Sequence, residues 1–152
     1  VVGSASYRAG GAGATVWLTG LPAAGKSTLA FRVADELARI GIAAVVLDGD
    51  EMRQGLNSDL GFSAGDRAEN VRRVGEVALH LASSGMVALV ALVSPFRVDR
   101  DRVRGRHEAA GISFFEVHVA TPISLCQARD PKGLYEGARQ GEVTQLTGIS
   151  DP

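Results

Sequence analysis

The chain has one cysteine, Cys126, in 152 residues, which excludes an intrachain disulfide, and of 16 basic side chains only Lys26 and Lys132 are lysine. Neither lysine is followed two positions later by aspartate, so the Asn-Lys-x-Asp guanine reader of GTPases is absent. Long apolar runs are also missing. The longest, Met86 to Val93, has eight residues, whereas a membrane-spanning helix needs about twenty. Neither sign of charge dominates: 16 basic against 17 acidic side chains leave a formal charge of −1. That balance argues against a protein held to nucleic acid by bulk charge, while small anions stay possible partners. The N-terminus shows neither a basic start before an apolar stretch nor a transit composition, and with the lone cysteine this predicts a cytoplasmic protein without membrane attachment.

What is present is globular, with 45% hydrophobic and 22% charged residues. A chain of this length buries roughly two-thirds of its surface, enough for one real core. Residues 1–13 are rich in Gly, Ala and Ser and read as a linker or disordered arm, leaving residues 14–152 as the domain. From Thr15 onward, short β-branched runs alternate with stretches of helical period, the signature of βαβ units and a parallel sheet. Strands are predicted at Thr15 to Thr19, Ala44 to Leu47, Val87 to Val93 and Ser113 to Val119. Leu29, Val33, Leu37 and Ile40 recur at spacings of 4, 4 and 3, predicting the core face of a helix that ends at Gly41. Ser63 with Asp66 forms a Ser-x-x-Asp cap for a second helix running towards Gly85. Shorter helices are expected from Asp99 to Ala110 and from Pro122 to Arg129. Beyond Asp130 glycines interleave with charges, and the stretch reads as a mobile covering loop.

Gly20-Leu21-Pro22-Ala23-Ala24-Gly25-Lys26-Ser27 fits the P-loop pattern, and it lies between the first strand and the first helix, as that motif requires. Glycines allow backbone to approach phosphate oxygens, and amides at a helix N-terminus favour an anion. Ala23, Ala24, Gly25, Lys26, Ser27 and Thr28 are therefore the candidate ATP-binding set, with Lys26 neutralising the terminal phosphates and Ser27 holding Mg²⁺. Asp48-Gly49-Asp50 ends the second strand. Carboxyl ends of parallel strands share one rim, so both carboxylates are expected to face the γ-phosphate. One, Asp48, suits a water of the Mg²⁺ shell; the other, Asp50, suits the orientation or deprotonation of an attacking hydroxyl.

Beyond these motifs, Leu47-Asp48-Gly49-Asp50, Gly55-Leu56-Asn57, Asp59-Leu60-Gly61-Phe62-Ser63, Asp66-Arg67, Glu69 to Val77 and Asp130-Pro131-Lys132-Gly133-Leu134-Tyr135 together resemble the adenylylsulfate kinase family. The resemblance covers nearly all of Thr15 to Pro152. It implies a P-loop NTPase-like α/β fold, a parallel sheet flanked by helices on both faces with a C-terminal lid. It also implies that ATP, with Mg²⁺, phosphorylates the 3′-hydroxyl of adenosine 5′-phosphosulfate in sulfate activation. Arg53, Asn57, Phe62, Arg67 and Asn70 are the candidate acceptor-binding set; by similarity, Arg53, Arg67 and Asn70 match positions holding the acceptor's anionic groups and Phe62 an aromatic that stacks on its base. Ser94-Pro95-Phe96 matches a turn beside the acceptor. In-line transfer needs no covalent intermediate, so Ser94 is read as positioning. Arg129-Asp130-Pro131-Lys132-Gly133-Leu134 resembles the lid, with Arg129 against the ATP base, Lys132 reaching acceptor or phosphate and Leu134 towards the acceptor; Lys26, Asp50 and Lys132 form the expected catalytic set. Leu146 stands where the family commonly has phenylalanine, which would weaken stacking on adenine. The resemblance further implies a homodimer, an occasional fused or associated ATP sulfurylase, and a last family segment that would lie beyond Pro152. Two other readings fit the P-loop: a different small-molecule kinase, or a non-catalytic nucleotide-binding module of a sulfate-activating complex.

Overall fold

A computed structural model describes residues 12–149; the expected arm up to residue 11 and the end of the chain lie outside them. β1 (Ala14–Thr19) is rich in β-branched and aromatic side chains, which suit a pleated, two-sided buried strand. It sits inside a four-stranded parallel sheet, with β3 (Val87–Ala91) on one side and β4 (Ser113–His118) on the other. β2 (Ala44–Asp48) pairs with the far side of β3, giving the order β2-β3-β1-β4. All four strands start within one residue of their predicted positions, and Leu92 and Val93, expected in β3, lie just past its end.

Alternation along the strands splits the core in two. Trp17, Leu47, Ala88 and Val90 face α3 (Ala64–Ser83) and α4 (Arg97–Ala109), meeting Val71, Val74, Ala78 and Val103. Leu18, Leu89 and Ala91 face α1 (Lys26–Arg39) on the opposite side. Helices therefore cover both faces, as expected, except that Phe115 and Val117 of the edge strand β4 point to the α1 side and stay 56% and 39% exposed.

Two expectations need correction, and one short helix has no counterpart in the sequence reading. The stripe of α1 against the sheet is Ala30, fully buried, with Val33, Ala34 and Leu37 partly buried, whereas Leu29 and Ile40 are 39% and 70% exposed; two small alanines, not the larger leucine and isoleucine, let the helix approach the sheet. A short α2 (Gly49–Gln54) follows β2, started by the Asp48 side chain accepting from the Asp50 amide at 2.9 Å. The stretch after Asp130 is not merely a loop. After α5 (Ile123–Arg129), Asp130 accepts from the amides of Tyr135 and Glu136 at 3.1 and 3.0 Å and starts α6 (Leu134–Arg139). Tyr135 then packs with Ala24, Cys126 and Leu146 in a third apolar cluster beneath the P-loop. Ser63 caps α3 as predicted, accepting from the Asp66 amide at 3.1 Å.

Candidate active site

The rim at the carboxyl ends of β1, β2 and β3 holds a cavity of about 1100 Å³. Its donor end is the turn between β1 and α1. Gly20 has φ +146°, and a Cβ there would stand 2.7 Å from the Val119 carbonyl oxygen, so only glycine fits. Gly25, at φ +100°, precedes α1 without a side-chain cap. Side chains cap α2 and α3; α1 has none, so its N-terminus offers amides and positive dipole to an anion. Two long-range bonds brace the turn: Thr121 donates to the Ala24 carbonyl at 2.8 Å and Tyr135 donates to the Pro22 carbonyl at 3.0 Å.

Lys26 is buried, and its ammonium donates to the carbonyls of Gly20 and Leu21 at 2.9 and 2.7 Å. Burial, helped by the charge of Lys132 and only partly offset by Cys126 and the carboxylates of Asp48 and Asp50, pushes its pKa down to about 8. Ser27 donates to the carboxylate of Asp48, itself buried at the end of β2. Ala23, Gly25, Lys26, Ser27 and Thr28 all line the cavity. Ala24 stands behind that lining: its amide donates to the Leu21 carbonyl at 3.2 Å and its methyl is buried in the third cluster.

The other end is built by α2, the start of α3 and the turn after β3. Asp50, Arg53, Phe62, Arg67, Asn70, Ser94 and Pro95 line it. The Arg53 guanidinium lies 4.4 Å from the Phe62 ring centroid and donates to the Gly61 carbonyl at 3.0 Å, a flat cationic surface with an exposed aromatic face. Arg67 is buried and donates to the Phe62 carbonyl at 2.9 Å, to Thr147 Oγ1 at 3.0 Å and to the Gln145 carbonyl. Two expected members fall outside. Asn57 is fully buried and donates to Asn70 Oδ1 at 2.9 Å, so it stands behind Asn70 instead of on the cavity wall. Phe96 lies beyond Pro95 as the N-cap of α4 and lines no part of the cavity.

The segment after α5 closes the top. Lys132 pairs with Asp50, joining the expected lid to the acceptor side. Arg129 approaches Gly25 and, with Leu134, lines the cavity. Sequence reasoning missed Leu29 and Arg32 of α1 and the wall made by Glu142 to Gln145 and Thr147. Leu29 and Arg32 continue the Thr28 face of α1, a signal that helical spacing alone could have supplied. Leu146 lines the cavity while packing into the third cluster, where a branched aliphatic side chain fills the space beneath the loop.

The family model for adenylylsulphate kinase matches residues 12–152. The adenylyl-sulfate kinase of Geotalea daltonii is 53% identical over 137 residues, covering 90% of this chain and 66% of that protein. The Saccharomyces cerevisiae adenylyl-sulfate kinase is 49% identical over 140 residues, covering 92% and 69%. The chain thus spans about two thirds of the length of these relatives. Among solved structures, the Mycobacterium tuberculosis APS kinase CysC in complex with AMPPNP and APS superposes with a TM-score of 0.91 at 53% identity, covering 93% of this chain and 82% of that one.

Proposed function

The chain belongs to the adenylylsulphate kinase family, and from that premise we propose that its cavity transfers the γ-phosphoryl group of ATP to the 3′-hydroxyl of adenosine 5′-phosphosulfate, releasing ADP and 3′-phosphoadenosine 5′-phosphosulfate. One observation carries the reading: an uncapped P-loop helix and a pocket of Arg53, Phe62, Arg67 and Asn70 share a single crevice with Asp50 at its wall.

The donor phosphates lie on the amides of Gly25 to Thr28, and Lys26 exchanges the carbonyls of Gly20 and Leu21 for phosphate oxygens. The acceptor adenine stacks on Phe62, and its phosphosulfate is held by Arg53, Arg67 and the Asn70 amide, which Asn57 orients from behind. Asp50 accepts the proton of the attacking hydroxyl, and Lys132, already its partner, leaves it for the transferred group as substrates enter. Closure of the segment that carries Arg129, Lys132 and Leu134 keeps water from competing with the sugar hydroxyl. The hydroxyl of Ser27 and the buried carboxylate of Asp48 are hard oxygen donors at the phosphate end and fit Mg²⁺, Ser27 directly and Asp48 through water. When bound, the ion neutralises charge on the β- and γ-phosphates.

A coupled ADP-release assay with adenosine 5′-phosphosulfate, and then with unrelated alcohols, tests the reaction, with product mass confirming the added phosphate. The expected result is release dependent on the phosphosulfate; release with an unrelated alcohol and none with the phosphosulfate would remove the assignment. The homodimer and sulfurylase association implied by the family resemblance are read on the same preparation by light scattering and co-purification. Among the described residues no helix is long and apolar enough to cross a membrane.

A further inference from the structure

The turn after β3 is held in a backbone conformation it would not adopt alone. Ser94 has φ +38°, in the left-handed region where a side chain crowds the backbone, and the ring of the next residue, Pro95, restricts it further. A residue in such a state persists only where its surroundings over-determine it.

They do so from two directions. From the sheet comes a chain of hydrogen bonds with one sense: Trp17 Nε1 donates to Ser94 Oγ at 3.0 Å, Ser94 Oγ to Thr19 Oγ1 at 3.0 Å, and Thr19 Oγ1 to the Val93 carbonyl at 2.7 Å. From α4, Arg100 Nη1 donates to the carbonyls of Ser94 and Pro95 at 2.7 and 3.1 Å. Its Nε donates to Glu116 Oε1 on β4 at 2.8 Å, and Arg104 Nη2 reaches Glu116 Oε2 at 2.5 Å. The side chains of Arg100 and Glu116 are only 15% and 21% exposed, and neither lines the cavity.

We propose that Arg100, oriented by Glu116, is a positioning residue for the acceptor. It never touches substrate; it fixes the Ser94–Pro95 backbone, and that backbone is the wall against which the acceptor lies. β3 stands between β1, which carries the donor loop, and β2, whose end carries Asp50. A shift of this turn therefore misplaces the acceptor hydroxyl relative to Asp50 while the P-loop keeps its own braces, Thr121 and Tyr135. Small misplacements of a reacting group lower rates steeply. A purely structural ion pair would instead weaken both substrates in parallel.

The role rests on the kinase reading above, and the experiment separates the two. Wild type, Arg100→Met, Arg100→Lys and Glu116→Gln are compared in steady-state kinetics with ATP and adenosine 5′-phosphosulfate varied in turn, with ATP affinity by calorimetry and melting midpoints for each. Arg100→Met is expected to raise KM for the phosphosulfate about tenfold or more and to lower kcat, with the ATP dissociation constant within about twofold of wild type. Arg100→Lys recovers part of the loss because an ammonium still donates to one carbonyl, and Glu116→Gln, which keeps one acceptor oxygen, falls between. If Arg100→Met fails to fold, the same split is read from the other two variants. A phosphosulfate KM unchanged in every folded variant, or ATP and phosphosulfate parameters that move together, overturns the positioning role. A wild type that does not phosphorylate the phosphosulfate overturns the kinase reading, and this is seen before any variant is compared.

Discussion

At the scale of single residues, Asp50 and Lys26 carry separable parts of the chemistry. Asp50→Asn preserves shape but removes both the base and the negative charge that holds Lys132. The expected result is a fall in turnover of about 10²–10⁴-fold with ATP affinity within about twofold of wild type, measured by ADP release and by calorimetry. Unchanged turnover would exclude Asp50 as the base. Lys26 makes a different prediction, because burial has lowered its pKa to about 8 before any phosphate arrives. Phosphate oxygens favour the charged form and raise that value again, so the complex binds more protons than the free protein. ATP binding at pH 8 should take up about half a proton, and affinity should fall as pH rises beyond that point. Titrations in two buffers of different ionisation enthalpy read the uptake directly, and Lys26→Met should abolish it while weakening binding; equal heats in both buffers for wild type would contradict the assignment.

At the scale of elements, α3 and α4 touch where α3 has no side chain. A Cβ at Gly75 would stand 2.6 Å from Val103 Cγ2, and a β-branched valine has little rotamer freedom with which to yield. Gly75→Ala gains about 1 kcal/mol of helix propensity yet overpacks a tight contact, which typically costs about 1–3 kcal/mol, so a lowered melting midpoint is expected. Val103→Ala in the same chain should restore part of it, and the coupling in that cycle measures the contact. The same contrast explains which elements the sequence made visible. The strands and α3 declare themselves through contiguous β-branched runs and a local cap at Ser63. The face of α1 is hard to read from sequence because apolar periodicity is carried by large side chains, and Ala30 and Ala34, which lie against the sheet, contribute little to it. α6 was hidden because its start depends on the Asp130 carboxylate and its burial on one tyrosine fitting beneath a loop 113 positions earlier in the chain.

At the scale of the whole molecule, the candidate site was legible wherever its residues lie in short contiguous motifs, as at Gly20 to Thr28 and Asp48 to Arg53. It was not legible where distant segments decide who reaches the cavity: Asn57 looks like a ligand until Asn70 is seen in front of it, and nothing local announces that Arg67 reaches across to Gln145 and Thr147. His107 is a long-range tie of this kind. Fully buried, it joins α4 to β1 and packs on Phe114 of β4 with ring centroids 5.0 Å apart. The Val103 carbonyl, 2.9 Å from Nδ1, can only accept, so Nδ1 carries the proton and Nε2 accepts from Thr15 Oγ1 at 2.9 Å. Burial lowers the pKa of this ring below its ordinary 6.5; the bond to Val103 and the charge of Glu76 oppose the shift, and Arg106 adds to it. The unfolded chain then takes up a proton near pH 6.5 that the folded chain refuses. Stability is fully present above that pH and falls as the solution is acidified, by at most about 1.4 kcal/mol per pH unit, until the folded ring itself titrates. Urea unfolding of wild type and His107→Gln between pH 5 and 7.5 isolates this contribution, because the other titrating groups are common to both proteins. The wild type should lose more stability than the variant on going from pH 7 to pH 5, and equal slopes in the two proteins would show that the ring enters the core at no electrostatic cost.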